Sequence, residues 1–336
     1  MKRIYQKFGV MLLIIFLATI LFSTFLKFNI STFIASLKST DCIIFILACI
    51  VMLISNAFGA LRWSFLINEI NAPKSKLFFH AFGFYSFGQI AGLIVPSRIG
   101  NYTKVPLMMK LDNVPYEFGL SAVNAETILD LAYISMAGIA SIIIFSVFLY
   151  SSFQIISILL LFLLMVILIG ILVFLHSLEH FKGTYDKVRF LAEKSNQHIW
   201  TRILAQCVAK IFELSQSTKN IFMNQQCVFN SGICTLIFQA FAVLSFYLVI
   251  EAVHVTLPMT IVFAILTLSI LAGIISLIPG GLGASDLSQI VLLASQGISL
   301  PVATNIVILW RVVMYLPIIL VIGIYFLKTR IWIKST

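Results

Sequence analysis

Hydrophobic and polar positions along this chain alternate on the scale of a bilayer. Apolar stretches occupy approximately 8–28, 42–67, 77–95, 120–149, 153–175, 229–250, 259–278 and 302–327, separated by short polar or charged segments. A hydrocarbon slab of roughly 30 Å calls for about 20 residues at 1.5 Å per residue, which most of these stretches supply. Their apolar residues run continuously, as from Ile155 to Leu175, without alternation. Barrel strands would alternate, and a lipid-exposed backbone admits only helices or closed barrels, so helices are predicted. The expected architecture is all-α: a polytopic integral membrane helical bundle of about eight hydrophobic elements, a single transmembrane domain over 1–336.

Composition agrees, with 61% hydrophobic and 10% charged residues, against roughly a quarter charged in a soluble domain. A formal charge of +10 could serve nucleic acid. Lys and Arg are instead scattered over short loops, the pattern of cytoplasmic retention, so no nucleic-acid partner is expected. The long polar stretch 176–228 carries seven Lys/Arg, from Lys182 to Lys219, and is placed in the cytoplasm. Within it, 199–223 repeats apolar positions at helical spacing. That amphipathic helix either lies on the inner leaflet or packs on the protein's own cytoplasmic face. Lys2, Arg3 and Lys7 at one end and Lys328, Arg330 and Lys334 at the other place both termini on the cytoplasmic side of the inner (cytoplasmic) membrane. The first apolar run reaches Phe28 without a small-x-small site and reads as an uncleaved span.

Counting crossings from cytoplasmic ends creates a conflict. Lys74 and Lys76 belong inside, yet Arg98, Lys104 and Lys110 follow one apolar element later. The conflict disappears if 77–110 dips into the bilayer, breaks at Pro96 and returns, and if 259–297 does the same from the outer face. The stretch Leu93-Ile-Val-Pro96-Ser-Arg-Ile-Gly100 echoes Ser276-Leu-Ile-Pro279-Gly-Gly-Leu-Gly283, so two broken, re-entrant units related as an inverted repeat are expected.

Intramembrane charge supplies the candidate chemistry. Pro279, Gly280, Gly281 and Gly283 should unwind the backbone, which then must face protein or water. Asp286 follows at once, either in the first turn of a helix capped by Ser285 or contacting a cationic headgroup or Arg311. Arg311 lies deep in the last span, suited to a structural ion pair or to a lipid phosphate. Glu126 and Asp130 share one helix face and need a cation, a proton or an arginine nearby, unless Glu126 sits at the cytoplasmic interface. Arg98 and Lys104 flank the first break, either to neutralise a lipid phosphate or as ordinary positive-inside charges. Arg62-Trp63 reads as an inner-interface anchor, with the arginine snorkelling. The five cysteines form no C-x-x-C pair, and His176, Glu179 and His180 have no further ligands, so no metal or cofactor is expected. No phosphate loop, nucleophile elbow or H-E-x-x-H pair is present, so no soluble-type catalysis is expected.

Arg62-Trp63, Pro96-Ser-Arg-Ile-Gly100 with Lys104, Glu126 with Asp130, and Pro279-Gly-Gly-Leu-Gly283 with Asp286 and Arg311 occur in this order. The arrangement resembles the lysylphosphatidylglycerol synthase transmembrane-region family, the flippase-like half of bacterial multiple-peptide-resistance proteins, over roughly 45–325. Relative to that family Asp286 stands where Glu is usual, Lys104 where Arg is usual, and Thr127 where Arg commonly follows the glutamate. These departures imply a shifted headgroup preference, and the aminoacyl-transfer half of fused members is not implied. The resemblance implies a non-enzymatic, flippase-like protein whose partners are membrane lipids: an anionic or aminoacylated phospholipid, or a lipid-linked sugar. The alternative is a membrane-embedded enzyme or an accessory subunit of envelope glycolipid synthesis; a homo-oligomer is compatible with either.

The topology is testable by cysteine labelling. Residues near Ser39 and His254 should label from outside intact cells, and residues near Asn196 only after permeabilisation. Labelling of Asn196 from outside would overturn the inside placement of the polar loop.

Overall fold

Polar caps and glycine or proline breaks decide where each apolar run becomes a helix. The computed structural model describes residues 38–68, 78–94, 97–112, 114–146, 163–167, 169–170, 214–276 and 278–329, with Ser31, Ile34 and Val173. In chain order its helices are α1 (Cys42–Asn68), α2 (Phe78–Ile94), α3 (Lys104–Asp112), α4 (Tyr116–Ser146), α5 (Gln225–Ala252), α6 (Met259–Ile275), α7 (Ala284–Ala294) and α8 (Leu300–Thr329). A 3-10 segment, Ser97–Thr103, precedes α3, and no strand occurs among the described residues. Positions 163–167 and 214–223 are also helical. The expected span 8–28 and residues 199–213 of the amphipathic segment lie outside the described residues.

Four helices, α1, α4, α5 and α8, are long and apolar enough to cross a membrane. The chain is therefore a multi-pass membrane protein, as expected. Asp41 begins α1 by accepting from the backbone N–H groups of Ile43 (2.8 Å) and Ile44 (3.2 Å). Asn224 begins α5 in the same way through Gln226 (3.0 Å) and Cys227 (3.1 Å). Each cap satisfies donors that a first helical turn leaves bare.

The two capped helices run antiparallel in a regular register. The Asp41 N–H meets the Ala252 carbonyl at 2.8 Å, the Ser245 hydroxyl meets the Ala48 carbonyl at 2.9 Å, and the Ser55 hydroxyl meets the Phe238 carbonyl at 2.7 Å. Each step of seven residues forward on α1 is thus matched by seven backward on α5. Small side chains permit that approach; in the bilayer, close packing and hydroxyl bonds of this kind replace the hydrophobic effect as the force between helices.

Two apolar clusters define the ends of the bundle. One gathers Ala48, Phe145, Phe246, Ile261, Leu293 and Ala303. The other gathers Leu66, Ala81, Val105, Val123, Cys227 and Tyr325. The start of α1, the ends of α4 and α5 and the start of α8 therefore share one end. Their opposite termini share the other. Ile221 of the 214–223 helix is buried in the second cluster, so this part of the amphipathic segment packs on the protein.

Between the long helices sit two hairpins. In the first, α2 and α3 fold back on each other: His80 Nδ1 lies 3.1 Å from Asp112 Oδ1, Gly88 packs beside Lys104, and Gly92 meets Gly100. In the second, α6 and α7 fold back with Gly273 against Ser285. The first has its feet in the Leu66–Tyr325 cluster and the second in the Ala48–Ala303 cluster. Their tips meet, where the Gly280 N–H donates to the Gly92 carbonyl at 3.0 Å.

A Cβ at Gly100 would lie 2.3 Å from the Gly92 backbone, whereas one at Gly232 would meet nothing within 4 Å. Gly100→Ala should therefore destabilise the fold by about 1–3 kcal/mol, seen as a lower Tm in detergent. Gly232→Ala should leave the Tm unchanged or raise it. Equal Tm values for both variants would refute the close hairpin crossing.

Candidate functional site

The apolar clusters leave a polar layer between them, built from two groups of charges. On α4, Glu126 and Asp130 stand one turn apart and face α1. Arg62 answers both, with Nη2 2.8 Å from Glu126 Oε1 and Nη1 2.5 Å from Asp130 Oδ1. Its Nη1 also donates to Thr235 Oγ1 on α5 at 3.2 Å. Lys104 pairs with the second Glu126 oxygen and rests 3.7 Å from the centroid of the Trp63 ring. Glu126 and Lys104 are fully buried. A lone charge at such a site costs about 3 kcal/mol or more, so the second cation offsets what the first leaves uncompensated.

Arg62 and Trp63 correct the expectation of an interface anchor. They are 1% and 0% exposed, so the arginine does not snorkel. The α2–α3 hairpin covers this end of α1, and the carboxylates of α4 supply what headgroups and water would otherwise provide.

The second group gathers at the tip of the α6–α7 hairpin. Arg311 of α8 donates from Nε to Asp286 Oδ1 at 2.7 Å and from Nη2 to Ser285 Oγ at 2.7 Å. Its Nη1 donates to the Gly280 carbonyl at 3.1 Å and to the Tyr315 hydroxyl at 2.9 Å. Gly280, Gly281 and Gly283 have φ of 62°, 63° and 87°, a region that side chains disfavour, which is why three glycines follow Pro279 here. Gly283 is the residue that caps α7, and Asp286 Oδ2 accepts its N–H at 3.0 Å. Ser285, expected as that cap, instead donates to the Gly281 carbonyl at 2.9 Å.

Both groups border one cavity of about 290 Å³. Arg62 and Asp130 line it on one side, Gly280, Gly281, Ser285 and Arg311 on the other. The structure thus brings Lys104, Glu126 and Asp130 together around Arg62, and Pro279 to Asp286 together around Arg311. Arg98 lies in the 3-10 segment, with its side chain outside what the structure describes. Sequence reading had not singled out Tyr85, Gln89, Gln239, Gln289 and Tyr315, which also line the cavity. Their only signal was polarity inside apolar runs. Arg62 had a stronger one, since two carboxylates at adjacent turns demand a cation.

A comparison with known protein families matches residues 8–322 to the lysylphosphatidylglycerol synthase TM region. The chain belongs to that family. Membership of the lysylphosphatidylglycerol synthase TM-region family sets it among membrane proteins of lipid-related envelope processes. The family match spans both hairpins and extends past Arg311. No curated protein and no solved structure matches the chain.

Breaking the Asp286–Arg311 pair from either side strands a buried charge, so each alanine variant should lose about 3–5 kcal/mol. Arg311 also holds Gly280, Ser285 and Tyr315. The double variant should therefore regain only part of the Tm in detergent. Complete recovery would mean that those three further bonds contribute nothing.

Proposed function

We propose that this chain is a flippase-like, non-enzymatic protein that binds a phospholipid or lipid-linked glycan headgroup between the hairpin tips and moves it across the inner membrane. The observation that carries this reading is the meeting of two helical hairpins, footed in opposite apolar clusters, at a cavity whose mixed lining includes charged, amide and phenol side chains inside an apolar bundle. A headgroup crossing a bilayer needs such a polar waypoint, because the hydrocarbon offers it no hydrogen bonds.

The hairpins are re-entrant on this reading and form an inverted pair, with both termini cytoplasmic. The fold-back of α2 on α3 supports it, since His80 and Asp112 end on the same side. The antiparallel α1–α5 register supports it too, because it sets Ser39 beside His254, whose Nε2 lies 3.1 Å from the Ser39 carbonyl. A cavity of about 290 Å³, near the lower end of small-molecule sites, has room for a headgroup and leaves the acyl chains in the bilayer. Asp130 and Asp286 are each engaged by an arginine, which supports binding over acid–base catalysis.

Ala242 lines the cavity and is 7% exposed. Ala242→Trp should fill the space. Wild-type protein purified in mild detergent should carry one lipid class enriched over the bulk membrane, measured by mass spectrometry. The variant should lose that enrichment at unchanged yield. Identical lipid profiles matching the bulk membrane in both proteins would sink the proposal.

A further inference from the structure

The same cavity carries information about which headgroup it takes. Among the described residues that line it or back its walls, every charged side chain is matched: Arg62 and Lys104 against Glu126 and Asp130, and Arg311 against Asp286. The remaining polar lining is uncharged, with the amides Gln89, Asn101, Gln239 and Gln289 and the phenols Tyr85 and Tyr315. A net-charged headgroup entering these walls would leave water without gaining a free counter-charge. Amides and phenols offer both donors and acceptors, which suits a ligand that has both.

Gln289 sharpens the point. It is 4% exposed, lines the cavity, and its Oε1 has no hydrogen-bond partner. A buried carbonyl oxygen left bare costs free energy, so its ligand should bring a hydrogen to it. A phosphodiester has none to give, a phosphomonoester gives one only together with its negative charge, and a quaternary ammonium has none. A primary ammonium has, but Asp130 and Asp286 already hold arginines and would not balance it. A hydroxyl donates without charge.

We propose that the cavity selects an uncharged, hydroxyl-rich headgroup, the sugar of a glycolipid, and that Gln289 is the residue that accepts a hydroxyl from it. This rests on the headgroup-binding reading above and narrows it. Gln289 follows Asp286 by one helical turn, so the Arg311 pair that fixes the start of α7 also positions the amide. The apolar lining from Met52, Leu266 and Ile270 suits the C–H faces of a sugar ring.

The test is a headgroup series on the full chain in nanodiscs, with binding read by native mass spectrometry. The probes are dioctanoyl forms of monoglucosyl diacylglycerol, phosphatidic acid, phosphatidylcholine and phosphatidylethanolamine, together with methyl β-glucoside. The glucosyl lipid should bind about three- to tenfold more tightly than every other probe, the range of one to two neutral hydrogen bonds. Gln289→Leu should remove that margin and leave weak phosphatidic acid binding unchanged. Phosphatidic acid or phosphatidylethanolamine binding as tightly as the glucosyl lipid, and lost in Ala242→Trp, would overturn the sugar assignment while the headgroup site stands. Methyl β-glucoside matching the glycolipid would overturn the lipid source. Binding of all lipids untouched by Ala242→Trp would overturn both the site and its selectivity. If Gln289→Leu fails to fold, Gln239→Leu takes its place, and the ranking of probes on the wild type decides the headgroup class.

Discussion

An arginine cannot be buried in an apolar bundle without a carboxylate within reach, and most of this structure can be traced from that constraint. Arg62 on α1 requires Glu126 and Asp130 on α4, and Glu126 in turn has a second oxygen that takes Lys104 from the first hairpin. Arg311 on α8 requires Asp286 on the second hairpin. The Arg62 pairs join helices more than sixty residues apart, and the Lys104 and Asp286 pairs each tie a hairpin to the long helix that follows it. The pairs therefore do more than neutralise charge; they dock the hairpins against the long helices. Replacing them with apolar side chains of equal volume would cost little in stability and would remove what orients the tips.

Hydrocarbon thickness made the helices legible. The stretch 42–67 became Cys42–Asn68, 229–250 became Gln225–Ala252, and 302–327 became Leu300–Thr329. The shifts of a few residues come from caps such as Asn224, a polar residue that starts a helix inside what composition alone assigns to the loop. Charge made the fold-back at 78–112 legible, because a full crossing would put Arg98, Lys104 and Lys110 on the outer face. The need for a cation beside Glu126 and Asp130 was legible, but that Arg62 supplies it was not. The arginine sits near the end of an apolar run, where snorkelling is the ordinary solution, and its partners lie more than sixty residues away. The amides were harder still, since a glutamine in a span carries no charge imbalance to betray it, and only the meeting of several elements reveals that Gln89, Gln239 and Gln289 face one space.

Glycine acts at two levels here. At Gly280, Gly281 and Gly283 it permits backbone angles that other residues resist. At Gly100 it permits close contact with the Gly92 backbone of α2, with no special angle involved. The tip-to-tip bond from Gly280 to Gly92 depends on both. It is a contact between two backbones, so side-chain chemistry can change around it as long as positions 100 and 280 stay small.

The pairing of charges also determines how the membrane voltage acts on the protein. Lys104 travels with the first hairpin and Asp286 with the second, while Glu126 and Arg311 belong to long helices. While each pair stays closed, the paired charges carry no net charge through the field, and the potential acts only on the hairpins' other charges, such as Lys110 and Asp112 of α3. If a pair opens and its hairpin moves alone, one elementary charge is displaced, worth about 2.3 kcal/mol per 100 mV for a full crossing. For the paired charges, the potential thus bears on the parting of Lys104 from Glu126 or of Asp286 from Arg311.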